Sequence, residues 1–185
     1  MLLLASSSPT RKTLLEDFGV VFEQYPLAFE EEKISTITPK SFAYQACRLK
    51  LESVLKEIKE LKQNAILVAD SVIEVEGKLQ RKAQTKEQAK AMLELQSGRE
   101  ITIITAQILK SKNLEVCDVS KTRLWLGDFK EKDLQKYLDS GLWNGKAGGV
   151  MVEGFHKKYI LKQNGLLSTA MGLSVEKFLP FFEII

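Results

Sequence analysis

An α/β sandwich is the fold the sequence predicts, and three observations carry it. Strand-like and helix-like stretches alternate along all 185 residues, the pattern of layered α/β proteins. The first apolar run passes directly into a capped helix start. The segment AILVADSVIEVEGKL reads as an apolar strand.

Residues 2–5 read as a buried strand. Pro9 suits the first turn of a helix and Ser8 is a good N-cap before it, with Leu14, Leu15 and Phe18 on the apolar face. Gly19 ends that helix, and VVFEQY reads as the next strand. After the acidic loop FEEEK, a long helix is expected over about residues 39–61, its stripe formed by Phe42, Ala46, Leu49, Val54, Leu55, Ile58 and Leu61. The strand AILVADSVIEVEGKL is interrupted by Asp70 and Ser71 and turns around Gly77. A helix over residues 85–95 opens with Thr85 and Gln88 at capping-box spacing. EITIITAQIL and LEVCDVSKTRLWL are extended, the second alternating enough to be a half-exposed strand. A helix over about residues 130–138 leads into the glycine-rich loop SGLWNGKAGG. Short strands around Val152 and Ile160 and a closing helix over residues 175–182 complete the pattern. No internal repeat, low-complexity tract or linker divides the chain, so residues 1–185 are expected to form a single domain.

Composition bounds the function. Hydrophobic residues make up 44% and charged residues 28%, enough apolar material for a globular core. A net charge of +3 is too slight to indicate a nucleic-acid binder by itself. No apolar run approaches the roughly 20 residues of a membrane span. The apolar patch at residues 1–5 is shorter than a secretory signal and no basic region precedes it. Cys47 and Cys117 lack thiol or histidine neighbours at metal spacing, so neither a disulfide framework nor a zinc site is indicated. A reducing cytoplasm is the expected compartment.

The stretch LASSSPTR places hydroxyls and a guanidinium where a strand meets a helix. A helix N-terminus offers unpaired N–H groups and a positive dipole end. Ser6 and Ser8 add donors, and Arg11 adds a fork matched to phosphate oxygens. The plainer alternative is a capped helix with a surface arginine. Asp70 lies in LVADSVI with apolar residues on both sides, a costly place for an unpaired carboxylate. Either it is a turn residue at a strand end, or it holds a hard cation such as Mg²⁺ or accepts a proton from water. Glu30, Glu31 and Glu32 offer a second metal-facing oxygen or form a solvated loop. Lys50, four residues from both Ala46 and Val54, lies on the apolar side of its helix and either snorkels or reaches into a site. Lys82 and Lys146 read alone as surface lysines. GLWNGKA fails as a P-loop, with three residues between its glycines and Ala147 after the lysine. His156 is the one histidine and has basic neighbours, which argues against a Ser-His-Asp or Cys-His arrangement.

In this order, ASSSPTR with Ser6, Ser8 and Arg11, the acidic pair Glu30 and Glu31, Lys50, VADS with Asp70, RKA with Lys82, SGREITIIT ending at Thr105, KAG with Lys146 and NGLLSTAMGL resemble the Maf family of nucleoside triphosphate pyrophosphatases along nearly the whole chain. The order and spacing are specific although no single motif is. The chain departs from the family pattern at Thr10, where an arginine is usual, with Lys12 keeping a basic group nearby. It also departs at Ala83 for proline, Gly145 for aspartate and Glu153 for glutamine. SPTRK and VEGF look similar to the branch associated with 7-methyl-GTP, whereas KAG looks more like the other branch.

The resemblance implies a Maf/ITPase-like architecture, a mixed, elongated sheet flanked by helices with two lobes around a cleft, often in a homodimer. It implies Mg²⁺- or Mn²⁺-dependent hydrolysis of a nucleoside triphosphate to monophosphate and pyrophosphate. Ser6, Ser8, Arg11, Lys50, Lys82 and Lys146 would bind substrate, and Glu31 and Asp70 metal. Asp70 would be proton acceptor or mainly metal ligand, and Thr10, Ser71 and Glu153 would set specificity. A carboxylate at position 153 accepts both donors on guanine's Watson–Crick edge, whereas a glutamine suits uracil or thymine. The expected preference is therefore for guanine-type or modified nucleotides. Because Maf proteins are also linked with arrest of septum formation, the rival reading is a non-catalytic nucleotide-binding regulator of cell division. An RNA-binding module lacks a basic patch interleaved with aromatics, and neither a membrane nor a stable nucleic-acid partner is expected.

Overall fold

The computed structural model describes residues 1–26, 34, 38–58 and 65–185. The acidic run Glu30, Glu31 and Glu32, and Leu61 of the expected helix stripe, lie outside the described residues. One mixed seven-stranded sheet joins β1 (Leu2–Leu4), β2 (Phe22–Gln24), β3 (Ala65–Val75), β4 (Lys78–Gln80), β5 (Glu100–Lys110), β6 (Glu115–Leu126) and β7 (Ile160–Asn164). The order is β2-β1-β3-β5-β6-β7, with β4 paired to β3 off that path. The helices are α1 (Pro9–Asp17), α2 (Pro39–Glu57), α3 (Lys86–Gln96), α4 (Glu131–Ser140), α5 (Leu167–Ala170) and α6 (Val175–Phe182), with a 3-10 turn at Phe155–Tyr159. None of the described helices is long and apolar enough to cross a membrane.

Local chemistry sets the helix starts. Ser8 Oγ accepts from the Arg11 backbone N–H at 3.4 Å, with Pro9 in the first turn. Thr38 and Thr85 cap α2 and α3 by accepting from the backbone N–H of Ser41 and Gln88, both at 3.2 Å. Gln88 Oε1 does not return to Thr85 but accepts from the N–H of Gln84 at 2.9 Å, one residue before the usual capping-box position. Between β3 and β4, Glu76 and Gly77 both have positive φ, 49° and 74°. That pair forms the type I′ turn that a two-residue hairpin requires.

Two expectations are corrected. Asp70 and Ser71 do not interrupt β3, because the antiparallel ladder with β5 continues through them, pairing Asp70 with Ala106 and Ser71 with Thr105. Pairing with β5 on one edge keeps both residues in the strand, and the aspartate is tolerated there provided its carboxylate finds a partner of its own. Val152 lies in no strand. Met151 O accepts from the N–H groups of Gly154 and His156, both at 3.1 Å, curling the segment into the 3-10 turn. The glycine-rich stretch NGLLSTAMGL contains the short helix α5, which its flanking glycines concealed.

α2 lays Phe42, Ala46, Cys47, Leu51 and Val54 on one sheet face, against Ile66, Val68 and Val72 of β3 and Ile104, Ala106 and Ile108 of β5. α1 and α6 cover the opposite face, where Leu14, Leu15 and Phe178 meet Leu2, Leu4, Leu67 and Leu109. Further along the sheet, Ile73, Val75, Ile101, Ile103 and Leu124 form another cluster, and α3 packs on α4 around Leu93, Tyr137 and Trp143. One gap in this scheme places the site. β1 pairs with β3 only as far as Leu67, and β4 takes up the same edge only at Ile73. Among the described residues no strand covers that edge of β3 between them, and a cleft opens there.

Candidate active site

The cleft has a volume of about 320 Å³ and is bounded by the start of α1, the exposed edge of β3, the loop over residues 144–150, Glu153 and residues 170–172. Among the described residues its lining carries four cationic side chains, Arg11, Lys50, Lys82 and Lys146, against two carboxylates, Asp70 and Glu153. Such an excess of positive charge in a concave site favours an anionic guest.

Asp70 and Ser71 are neighbours on β3 and so point to opposite faces of the sheet. Asp70 lies on the α2 side, 4% exposed, where Lys50 Nζ donates to its Oδ1 and also to the backbone carbonyl of Ala69 at 3.5 Å. The placement of Lys50 on the apolar side of α2 thus serves to reach a buried carboxylate rather than to snorkel. Removing either member would leave a poorly hydrated charge. Cys47, one turn earlier on α2, donates its thiol to Val68 O at 3.6 Å. Burial, reinforced by the charge of Asp70, pushes this thiol up to about 12, so it is no nucleophile at neutral pH.

Ser71 faces the other side and holds Arg11. Arg11 donates from Nη2 to Ser71 Oγ at 3.3 Å, from Nη1 to Ser6 Oγ at 3.2 Å and from Nε to Gly172 O at 2.8 Å. The proton order of this chain is determined. Thr105 Oγ1 donates to the Thr169 carbonyl at 2.8 Å, so in its 2.8 Å contact with Ser71 it accepts, and Ser71 in turn accepts from Arg11. Ser6 Oγ also accepts from the Ser8 N–H at 3.2 Å. The Ser71 O–H is thus given to Thr105, whereas Ser6 Oγ accepts in both of its bonds, which leaves the Ser6 O–H as a donor for an anion at the α1 N-terminus.

Lys82 follows β4, and its bridge to Ala147 sets it beside Lys146 on one wall of the cleft. Across from them Thr10 Oγ1 donates to Glu153 Oε1 at 3.1 Å, linking α1 to the loop that follows Val152. The structure therefore brings together Ser6, Ser8, Thr10, Arg11, Lys50, Asp70, Ser71, Lys82, Lys146 and Glu153; Glu31 lies outside the described residues. Sequence reasoning did not find the supports: the carbonyls of Thr169 and Gly172, and the Thr105 hydroxyl as a link in an ordered chain. Only the position of Thr105 at the end of SGREITIIT hinted at it.

Among the described residues no three His, Cys, Asp or Glu side chains converge on one point. A hard cation such as Mg²⁺ commonly takes one or two carboxylates and completes its shell with substrate phosphates and water. Asp70, a buried carboxylate beside phosphate-suited groups, fits that donor set.

The family model for Maf-like proteins matches residues 1–184. A nucleoside triphosphate pyrophosphatase of Helicobacter pylori is 45% identical over 185 residues, covering 99% of this chain and 95% of the relative. Proteins of the same name from Nitratiruptor sp. and Campylobacter jejuni are 44% and 36% identical, covering 96% and 95% of this chain and 96% and 97% of their own lengths. A solved structure described as a nucleoside-triphosphatase / dITP/XTP pyrophosphatase, from Mycobacterium abscessus, superimposes with a TM-score of 0.40 at 15% identity over 68% of this chain and 73% of that one, a likeness that carries no argument. With the family model and full-length relatives agreeing over the same span, the chain belongs to the family of Maf-like proteins.

Proposed function

We propose that this chain is a metal-dependent nucleoside triphosphate pyrophosphatase. The observation that carries the reading is the Asp70–Lys50 pair at the uncovered edge of β3, facing the anion-suited start of α1 across one cleft. The full-length relatives named as nucleoside triphosphate pyrophosphatases support it.

The triphosphate lies along Ser6, Ser8 and Arg11 at the α1 N-terminus, with Lys50, Lys82 and Lys146 around it. Arg11 is held by three acceptors before substrate arrives, so its fork needs little reorganisation as charge develops. Water attacks the α-phosphorus and the bond to the bridging oxygen of the β-phosphate breaks. The water oxygen stays on the nucleoside monophosphate, its proton passes to Asp70, and pyrophosphate leaves with the bridging oxygen. Asp70, with Glu31 as the second carboxylate, would hold Mg²⁺ or Mn²⁺, which when bound supplies positive charge to the phosphate oxygens. Lys50 gains a second anionic partner when the triphosphate enters. Glu153, held by Thr10, accepts the paired donors of a guanine-type base.

Phosphorus NMR with Mg²⁺ or Mn²⁺ and a panel of GTP, 7-methyl-GTP, UTP and dTTP tests the reaction. Monophosphate and pyrophosphate are expected, whereas a diphosphate and free phosphate would mean another bond is cut. Asp70→Asn is expected to lose about 10²–10⁴-fold in turnover while still binding nucleotide. Binding without turnover in the unsubstituted protein would instead favour the regulator of septum formation.

A further inference from the structure

The side chain of Gln96, the last residue of α3, is fully buried and takes no part in the reaction above. Its Nε2 donates to Gln80 Oε1 at 2.8 Å and to the Gly148 carbonyl at 2.7 Å, and its Oε1 lies 2.9 Å from His156 Nε2. Amide and imidazole orientations are ordinarily ambiguous, but here backbone groups at the ends decide them. The Met151 N–H can only donate, and it does so to His156 Nδ1 at 3.1 Å. His156 therefore carries its proton on Nε2 and gives it to Gln96 Oε1. That turns the Gln96 amide nitrogen towards Gly148 O, which can only accept. At the far end Gln80 Nε2 donates to Met92 O at 3.2 Å. Both protons and the oxygen of one amide are thus committed.

Two cleft loops hang from this amide. At Gly148, φ is +57° and a Cβ would stand 2.9 Å from Gln80 Oε1 and 3.1 Å from Gln96 Nε2, so only glycine fits against the network. The Gly148 N–H donates to Arg81 O at 2.9 Å, one residue before Lys82, and Gly148 follows Lys146 by two. On the other side, His156 braces the tight turn that begins at Met151 and presents Glu153.

We propose that Gln96 is a positioning residue for the cleft, its single amide setting the register between the wall that presents Lys82 and Lys146 and the turn that presents Glu153. What these side chains grip rests on the pyrophosphatase reading; the coupling of the two loops does not.

His156 is the one histidine in the chain, so its ring nitrogens give unambiguous signals in ¹⁵N NMR of the unsubstituted protein. A neutral Nε2–H ring whose signal shifts on saturation with α,β-methylene GTP is expected. An Nδ1–H tautomer, or a ring signal indifferent to the nucleotide, overturns the proposal without requiring a variant to fold. In Gln96→Met, KM for GTP and for UTP is expected to rise about tenfold, the effect of a misplaced binding wall. A merely structural role lowers the folded fraction and with it kcat, but leaves KM where it was, and that result also overturns the proposal. If the unsubstituted protein binds nucleotide without releasing pyrophosphate, the pyrophosphatase reading fails on its own. Kd for the same nucleotide then replaces KM in the comparison.

Discussion

His156 links burial to acid stability. Burial pushes its pKa down to about 3, so the folded chain keeps the ring neutral where an unfolded chain, titrating near 6.5, takes up a proton. Between those values the unfolded state binds more protons. Stability contributed at neutral pH is therefore lost as pH falls from about 6.5 towards 3, at on the order of 1.4 kcal/mol per pH unit. His156→Phe, placed among the rings of Phe129 and Phe155 at 5.4 and 5.1 Å, is expected to remove that share of the slope. Urea unfolding at pH 7, 5.5 and 4.5 in both proteins measures it, and equal slopes would show that the ring titrates alike in both states. At this scale the sequence marked His156 only as the lone histidine with basic neighbours. Its burial follows in part from Phe129 and Tyr137, which arrive from distant segments to join its neighbour Phe155, and no local pattern displays that.

The helices owe their starts to short-range chemistry and their value to the site to where they end. α3 begins at the Thr85 cap and ends at Gln96, eleven residues that deliver a buried amide under the cleft wall. Thr85→Ala removes the acceptor for the Gln88 N–H and is expected to cost about 1 kcal/mol. It should appear as a lower urea midpoint with an unchanged m-value, and no change in midpoint would mean that water replaces the hydroxyl without loss. β3 shows the opposite balance. Aspartate and serine are poor strand residues, and read locally they suggest a break. Ten consecutive residue pairs with β5 override that preference, and the uncovered edge opposite gives the carboxylate of Asp70 somewhere to act.

At the scale of the molecule, the cleft exists because β1 stops short, β4 starts late and the C-terminal segment returns to Arg11 through Gly172. Thr10 and Glu153, 143 residues apart in sequence, close its far side. Glu153→Gln separates base choice from this closure, since a glutamine amide oxygen accepts from Thr10 as a carboxylate does. The ratio of kcat/KM for GTP over UTP is expected to fall about tenfold or more, the scale on which a mismatched donor and acceptor pattern is penalised. Parallel assays of the two nucleotides measure it, and an unchanged ratio would remove Glu153 from base selection.

Alternation of elements, the Ser8 and Thr85 caps, the turn at Gly77 and the inward side of Lys50 were all determined by the sequence alone. Each depends on residues within about one helical turn or hairpin of one another, where spacing and geometry are nearly the same thing. The candidates for the cleft were legible as residue types and, through the order of their motifs, as a family pattern. Tertiary structure decided what those residues touch: that Asp70 lies within a strand and not at its end, that Ser71 braces Arg11, and that Gln80, Gln96 and His156 join under two loops. Those contacts satisfy buried polar groups from distant segments, and a partner that arrives from 60 residues away leaves no periodic trace in the chain around it.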